Sequence, residues 1–153
     1  FIWTAKQERT HTWFSMFLPT GERTAAVDAM QKAWTGSPPE NPAPEILEWK
    51  PERSSGEFQQ GEPVKICLLW KCERPAKVAV ELRTETTAKG LGGDSEKDPV
   101  ILPHCVWKVV AGGLEVLAPD RPGKYRIFVR ITTKDQTAAT ANMPILVRRT
   151  DRP

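Results

Sequence analysis

PDRPGKYRIFVRITTKDQTAATANMPILV, residues 119–147, decides the fold. Its centre alternates without a break. Tyr125, Ile127, Val129 and Ile131 fall on one side of an extended chain, and Arg126, Phe128, Arg130 and Thr132 on the other. A period of two is the pattern of a half-buried strand. A polar turn, KDQT, then leads to a second apolar run, ATANMPILV. Just ahead of the first run, Asp120, Gly123 and Tyr125 stand at the D-x-x-G-x-Y spacing of a tyrosine corner. In such a corner the glycine supplies the turn, and the tyrosine hydroxyl ties back to upstream backbone at the start of the penultimate strand.

Upstream of this pair the same character continues. ILEW, VKICLLW, KVAVELR and LEVLA are short runs rich in Val, Ile and Leu, punctuated by Pro and Gly. KVAVELR puts Val78, Val80 and Leu82 on one face. No helical period appears after Trp34. About seven strands in roughly 100 residues predict a mainly β chain, an Ig-like antiparallel β-sandwich. It spans residues 46–148 and is followed by a tail, 149–153. A long insertion, residues 84–107, is Gly-rich and polar and then apolar, as expected of a loop that packs back on the sandwich.

Residues 1–36 differ. FIWTA is a short apolar run suited to a buried strand, KQERTHT is polar, and GERTAAVDAMQKAW predicts a helix. Ala26, Val27, Met30, Ala33 and Trp34 recur at helical spacing and share a face. Glu22 falls in the expected first turn and Lys32 in the last, both favourable to the helix dipole, and Gly36 is the expected stop. SPPENPAPE, residues 37–45, holds four prolines, which forbid helix and resist sheet. It predicts a stiff linker and a domain boundary.

Composition excludes several functions. Net charge is +3 with mixed signs, so there is no basic stripe for nucleic acid, and Arg148, Arg149 and Arg152 belong to a solvated tail. No apolar run has the length, about 18 residues, of a membrane span. Cys67, Cys72 and Cys105 are an odd count without CxxC spacing, which argues against zinc. They are compatible with one disulfide and a free thiol, or with three thiols. His104 beside Cys105, and His11 alone, form no catalytic dyad or triad. No P-loop, dinucleotide fingerprint or HExxH is present, so neither cofactor nor metal is expected.

KQERTHTWFSMF followed by GERTAAVDAMQKAWTGSPPENPAPEI resembles the end of the catalytic barrel in glycoside hydrolase family 2-type proteins and related (β/α)8 glycosidases. GGDSEKDP and PGKYRIFVRITTKDQTAATANMPILV are similar to the Ig-like domain that comes after such barrels. The resemblance is specific in residues 6–46 and 123–147 and weak between them. There KCERPAKVAVELR lacks the aspartates of the family's acidic turn, which removes the oxygen ligands of a calcium-stapled turn, and it lacks the following strand's tryptophan.

The resemblance implies that residues 1–36 are the last β/α unit of a barrel, 37–45 the linker and 46–148 an accessory domain. Trp3 and Trp13, with Lys6, Gln7 and Glu8, would then lie near the barrel mouth as sugar contacts. The opposing reading makes Trp3 a barrel plug and pairs Glu8 with Arg9. Trp107 is the exposed-stacking candidate in the sandwich, whereas Trp34 and Trp49 are expected to seal the junction and Trp70 to enter the core. Glycoside hydrolysis needs two carboxylates about 5–9 Å apart. In the resembled barrels these come from earlier strands, so no catalytic residue is expected in this chain.

The implied function is an accessory or C-terminal part of a secreted, periplasmic or cell-surface carbohydrate-active protein. Its partners would be the rest of the barrel and polysaccharide. The alternative is a non-catalytic structural or adhesive component of an extracellular assembly. Either way Phe1, Ile2, Trp3, Phe14, Met16 and Phe17 are too apolar to leave wet and are expected to need cover from another surface.

Overall fold

The structure, a computed structural model, describes residues 16–18, 20–86 and 99–150. The expected FIWTA strand lies outside them. One helix, α1 (Ala25–Thr35), precedes eight strands: β1 (Glu45–Pro51), β2 (Glu57–Gln59), β3 (Pro63–Lys71), β4 (Ala76–Thr84), β5 (Trp107–Val110), β6 (Gly113–Leu117), β7 (Gly123–Thr133) and β8 (Ala138–Arg148). The chain is therefore mainly β, in two four-stranded sheets of order β1-β3-β6-β5 and β2-β8-β7-β4.

Alternation builds both sheets. In β7, Tyr125, Ile127, Val129 and Ile131 are buried, as their period requires. β8 buries Met143, Ile145 and Val147, β4 buries Val80 and Leu82, and in the other sheet β3 and β6 bury Val64, Ile66, Leu114 and Val116. β3 and β6 run antiparallel with Cys67 opposite Gly113. A Cβ at Gly113 would stand 1.9 Å from the Ile66 carbonyl oxygen, so only glycine lets these two backbones approach.

Three sequence expectations are corrected. The strand count is eight among the described residues against about seven expected; β2 and β5, with too little pattern to show, lie outside the six runs named from the sequence. The strand pairing is not purely antiparallel, since β2 pairs parallel to β8, Phe58 facing Val147. The helix begins four residues later than Gly21. Thr24 adopts an extended backbone and its hydroxyl accepts from the Ala26 N–H, so it is the N-cap, and Asp28 rather than Glu22 occupies the first turn. Gly36, left-handed at φ 78°, closes the helix as expected.

The chain forms two contact units. One gathers residues 1–47, 69–79 and 129–141, the other 48–68, 80–128 and 142–153. In the first, Met16 and Leu18 are buried, against the expectation that Met16 needs foreign cover. The reason is an added backbone ladder. Phe17 bridges Arg23, and Arg23 bridges Thr137, with Arg23 N–H donating to the Gln136 carbonyl and Ala138 N–H to the Arg23 carbonyl. Phe17 itself is half-buried. In the second unit the described end of the insertion packs back as expected: Leu102 N–H donates to Leu82 O at 2.8 Å and Thr84 N–H to Val100 O at 3.0 Å.

Candidate functional site

The outward side of β7 is where the structure departs furthest from a simple pattern. Arg126 belongs to the set of residues that alternation sends to solvent, yet it is 4% exposed. Its guanidinium is matched by Glu85, just past β4: Nε lies 3.1 Å from both carboxylate oxygens and Nη2 2.9 Å from one. Asn142 on β8 accepts from its remaining nitrogen through Oδ1. The Thr86 N–H donates to Glu85 at 3.0 Å, so the carboxylate is held from two sides. Close by in sequence to Glu85, Arg83 repeats the theme. It is 7% exposed, pairs with Glu81, and lies 5.5 Å over the Phe128 ring. The result is a polar belt across the outer face of β4, β7 and β8. A buried pair of this kind costs much if broken and adds little if kept. Its chemical capacity is to fix geometry.

Beside the belt an open cleft of about 460 Å³ is floored by Pro144 and Leu146 and rimmed by Ser55, Glu57, Glu85 and Lys124. Among the described residues, Glu57 and Glu85 are the carboxylates that line it. The Arg148 guanidinium, 2.7 Å away, holds Glu57 below the usual carboxylate range by hydrogen bonding. A general acid of glycoside hydrolysis needs the opposite shift. Glu57 is thus held as a carboxylate.

The sequence-derived site residues fall into three groups. Trp3, Lys6, Gln7, Glu8 and Trp13 lie outside the described residues. Trp107, on β5, pairs with Val116, a residue with no exposure, and directly paired residues share a face. Trp107 itself is half-buried, while Val109, two residues on and paired with Leu114, is 72% exposed. Trp34 is 77% exposed and seals nothing among the described residues, while Trp49 and Trp70 are half-buried. At the corner, the Tyr125 hydroxyl donates to the Arg121 carbonyl at 2.9 Å, a Cβ on Gly123 would stand 3.3 Å from the ring, and the Asp120 carbonyl accepts from Gln60.

The three cysteines are free. Cys67 Sγ donates to Glu48 at 3.2 Å, and that hydrogen bond, with burial second, raises its pKa. Burial raises Cys105. Both stay protonated thiols, the unreactive form. Among the described residues no three His, Cys, Asp or Glu side chains gather as a metal site, and no helix is long and apolar enough to cross a membrane.

The Glu85–Arg126 pair was invisible in the sequence, since its members are 41 positions apart. The available signal was parity: KVAVELRTE carries its charges at 77, 81, 83 and 85 and YRIFVR at 126 and 130, each set on one side of an extended chain.

No family model matches the chain, and no curated protein is detectably similar to it. Among solved structures it is similar to PcoC, a methionine-rich copper resistance protein from Escherichia coli, at 16% identity and a TM-score of 0.39, over 67% of this chain and 100% of that one. It is also similar to murine CRIg, at 15% identity and a TM-score of 0.38, over 71% of this chain and 98% of that one. Likenesses this distant bring neither ligand nor activity to the chain.

Proposed function

We propose that the chain is an Ig-like accessory module of a carbohydrate-active, glycoside hydrolase-like protein of the cell exterior or periplasm, and that it buttresses a (β/α)8 barrel through α1. The observation that carries this reading is a helix face left partly open. Ala26, Val27, Met30, Ala33 and Trp34 form an apolar stripe; Ala26, Val27 and Met30 are half-buried, Ala33 is exposed and Trp34 is 77% exposed. A stripe of that kind is made to face another surface. The resemblance of residues 6–46 to a barrel's closing segment supplies the occupant, and the Tyr125–Arg121 tie supports an Ig-like assignment for the strands beyond the Pro-rich segment. The module contributes position, and polysaccharide contacts come from the loop at residues 6–12 with Trp3 and Trp13.

The test compares two proteins: this chain alone and the chain with its own upstream coding sequence. The chain alone is expected to hydrolyse no glycan. Met30→Ala with Trp34→Ala is expected to leave its melting temperature unchanged but to lower that of the longer protein together with its glycosidase activity. Activity from the chain alone, or no effect of the pair in the longer protein, overturns the reading.

One observation favours an assembly component instead. β5 ends its sheet, and Val106 and Val109 are 57% and 72% exposed there, an edge on which a second copy can pair. Concentration-dependent association abolished by Val109→Lys selects that reading.

A further inference from the structure

Residues 37–45 have the composition of a tether, but three of them are held in place. The Arg23 guanidinium ion-pairs with Asp28 and donates to the Asn41 carbonyl. The Asp28 carboxylate accepts the Ala43 N–H at 2.6 Å. Arg74, in the β3–β4 turn, donates to the Asn41 side-chain oxygen and, at 2.6 Å, to Asp135 in the β7–β8 turn. Pro44 is among the fully buried residues. Arg23 is itself anchored through its backbone, to Gln136 at 3.0 Å and Ala138 at 2.9 Å. Every group named here belongs to one contact unit.

We propose that the Pro-rich segment is a locked strut, and that Arg23, Asp28, Asn41, Arg74 and Asp135 are its lock. The physics favours locking at this point. Each proline has already fixed its own φ, so ordering the segment costs less conformational entropy than ordering an ordinary loop. Charge-assisted hydrogen bonds, stronger than neutral ones, then have little to offset. Arg74 joins three places that sequence keeps apart: the strut, the β3–β4 turn and the β7–β8 turn. Because Asp28 sits on α1 and holds Ala43, helix and strut form one preset surface. A partner meeting that surface finds it preorganised, and so avoids the cost of ordering a loose helix on a leash. The lock does not depend on what docks, so it stands or falls apart from the barrel reading.

The experiment combines limited proteolysis with amide exchange. A glutamate-specific protease can cut after Glu40, which is exposed. In the wild-type chain this bond is expected to resist cutting relative to a free peptide of residues 37–45, and the Ala43 amide is expected to be protected. Arg74→Ala and Asp28→Ala are expected to speed cutting there by about tenfold while the Ile127 amide stays protected. Wild-type cutting as fast as in the free peptide overturns the lock, and so do variants that leave the rate unchanged. If Asp28→Ala loses Ile127 protection, and hence the fold, Arg74→Ala alone decides by the same two criteria.

Discussion

Helix α1 and strand β7 are both eleven residues long, and both carry a regular apolar stripe, yet their stripes meet opposite fates. β7 sinks Tyr125, Ile127, Val129 and Ile131 into a core, and even its outward Arg126 is covered. α1 buries nothing. Periodicity locates an apolar face, and something else must supply the cover. A strand in the middle of its sheet brings neighbours with it through backbone pairing. A helix satisfies its own backbone, so nothing obliges the same chain to cover its stripe.

The comparison is sharpened most by Arg126. Glu85→Ala would remove the carboxylate that its buried guanidinium meets at 2.9–3.1 Å, an expected loss of about 3–5 kcal/mol in urea unfolding. A loss under about 1 kcal/mol would mean that the pair behaves like an exposed one. Next come the two stripes themselves. Ile127→Ala is expected to cost about 2–5 kcal/mol. Trp34→Ala in the same chain is expected to change stability by no more than about 0.5 kcal/mol. Equal costs would break the contrast, since they would place cover over α1 within this chain.

Smaller effects test the ends of the two elements. Tyr125→Phe removes the corner hydrogen bond while keeping the ring, so about 1 kcal/mol is expected. Thr24→Ala removes the cap of α1. At 3.4 Å its bond to Ala26 is long, which points to the lower end of the usual range, about 0.5 kcal/mol. Circular dichroism of the same samples should show the helix signal weaken for Thr24→Ala and hold for Tyr125→Phe.

The same contrast explains how much of the molecule its sequence revealed. β7 and β8 were readable because their alternation is long, and Gly36 because a helix stop needs a left-handed residue. β2, three residues of EFQ, is too short to show a period, and its parallel partner β8 is some ninety positions away. β5 holds four residues at the end of a loop-like insertion. The burial of Met16 depends on a ladder through Arg23 and Thr137, a non-local pairing that composition cannot announce. Arg126 misled for a related reason: alternation gives a side chain its face, but the matching charge comes from another strand. Of the candidate sugar contacts only Trp107 lies within the described residues, half-buried on β5 opposite Val116.

Acid offers the mildest test, confined to the strand side of the contrast. Three glutamates titrate below their ordinary value of 4.5: Glu48 through its hydrogen bond to Lys50, Glu57 through Arg148, and Glu62 through the Gln59 backbone N–H at 2.7 Å. They lie on β1, on β2 and just before β3, and none is on α1. A folded-state pKa below the unfolded one means that the unfolded chain binds the proton more tightly. The stability these groups add is therefore complete above the unfolded value and is lost as pH falls through it toward the folded values. The urea midpoint should stay level from neutrality to about pH 5 and decline below that. Glu48 and Glu57 act through exposed partners, so their share should fade in concentrated salt. The bond from Glu62 to backbone should persist, and Glu62→Gln in high salt should flatten what remains of the decline. A decline as steep in that variant as in the wild type would move the acid sensitivity away from these strands and remove the distinction between the two regions.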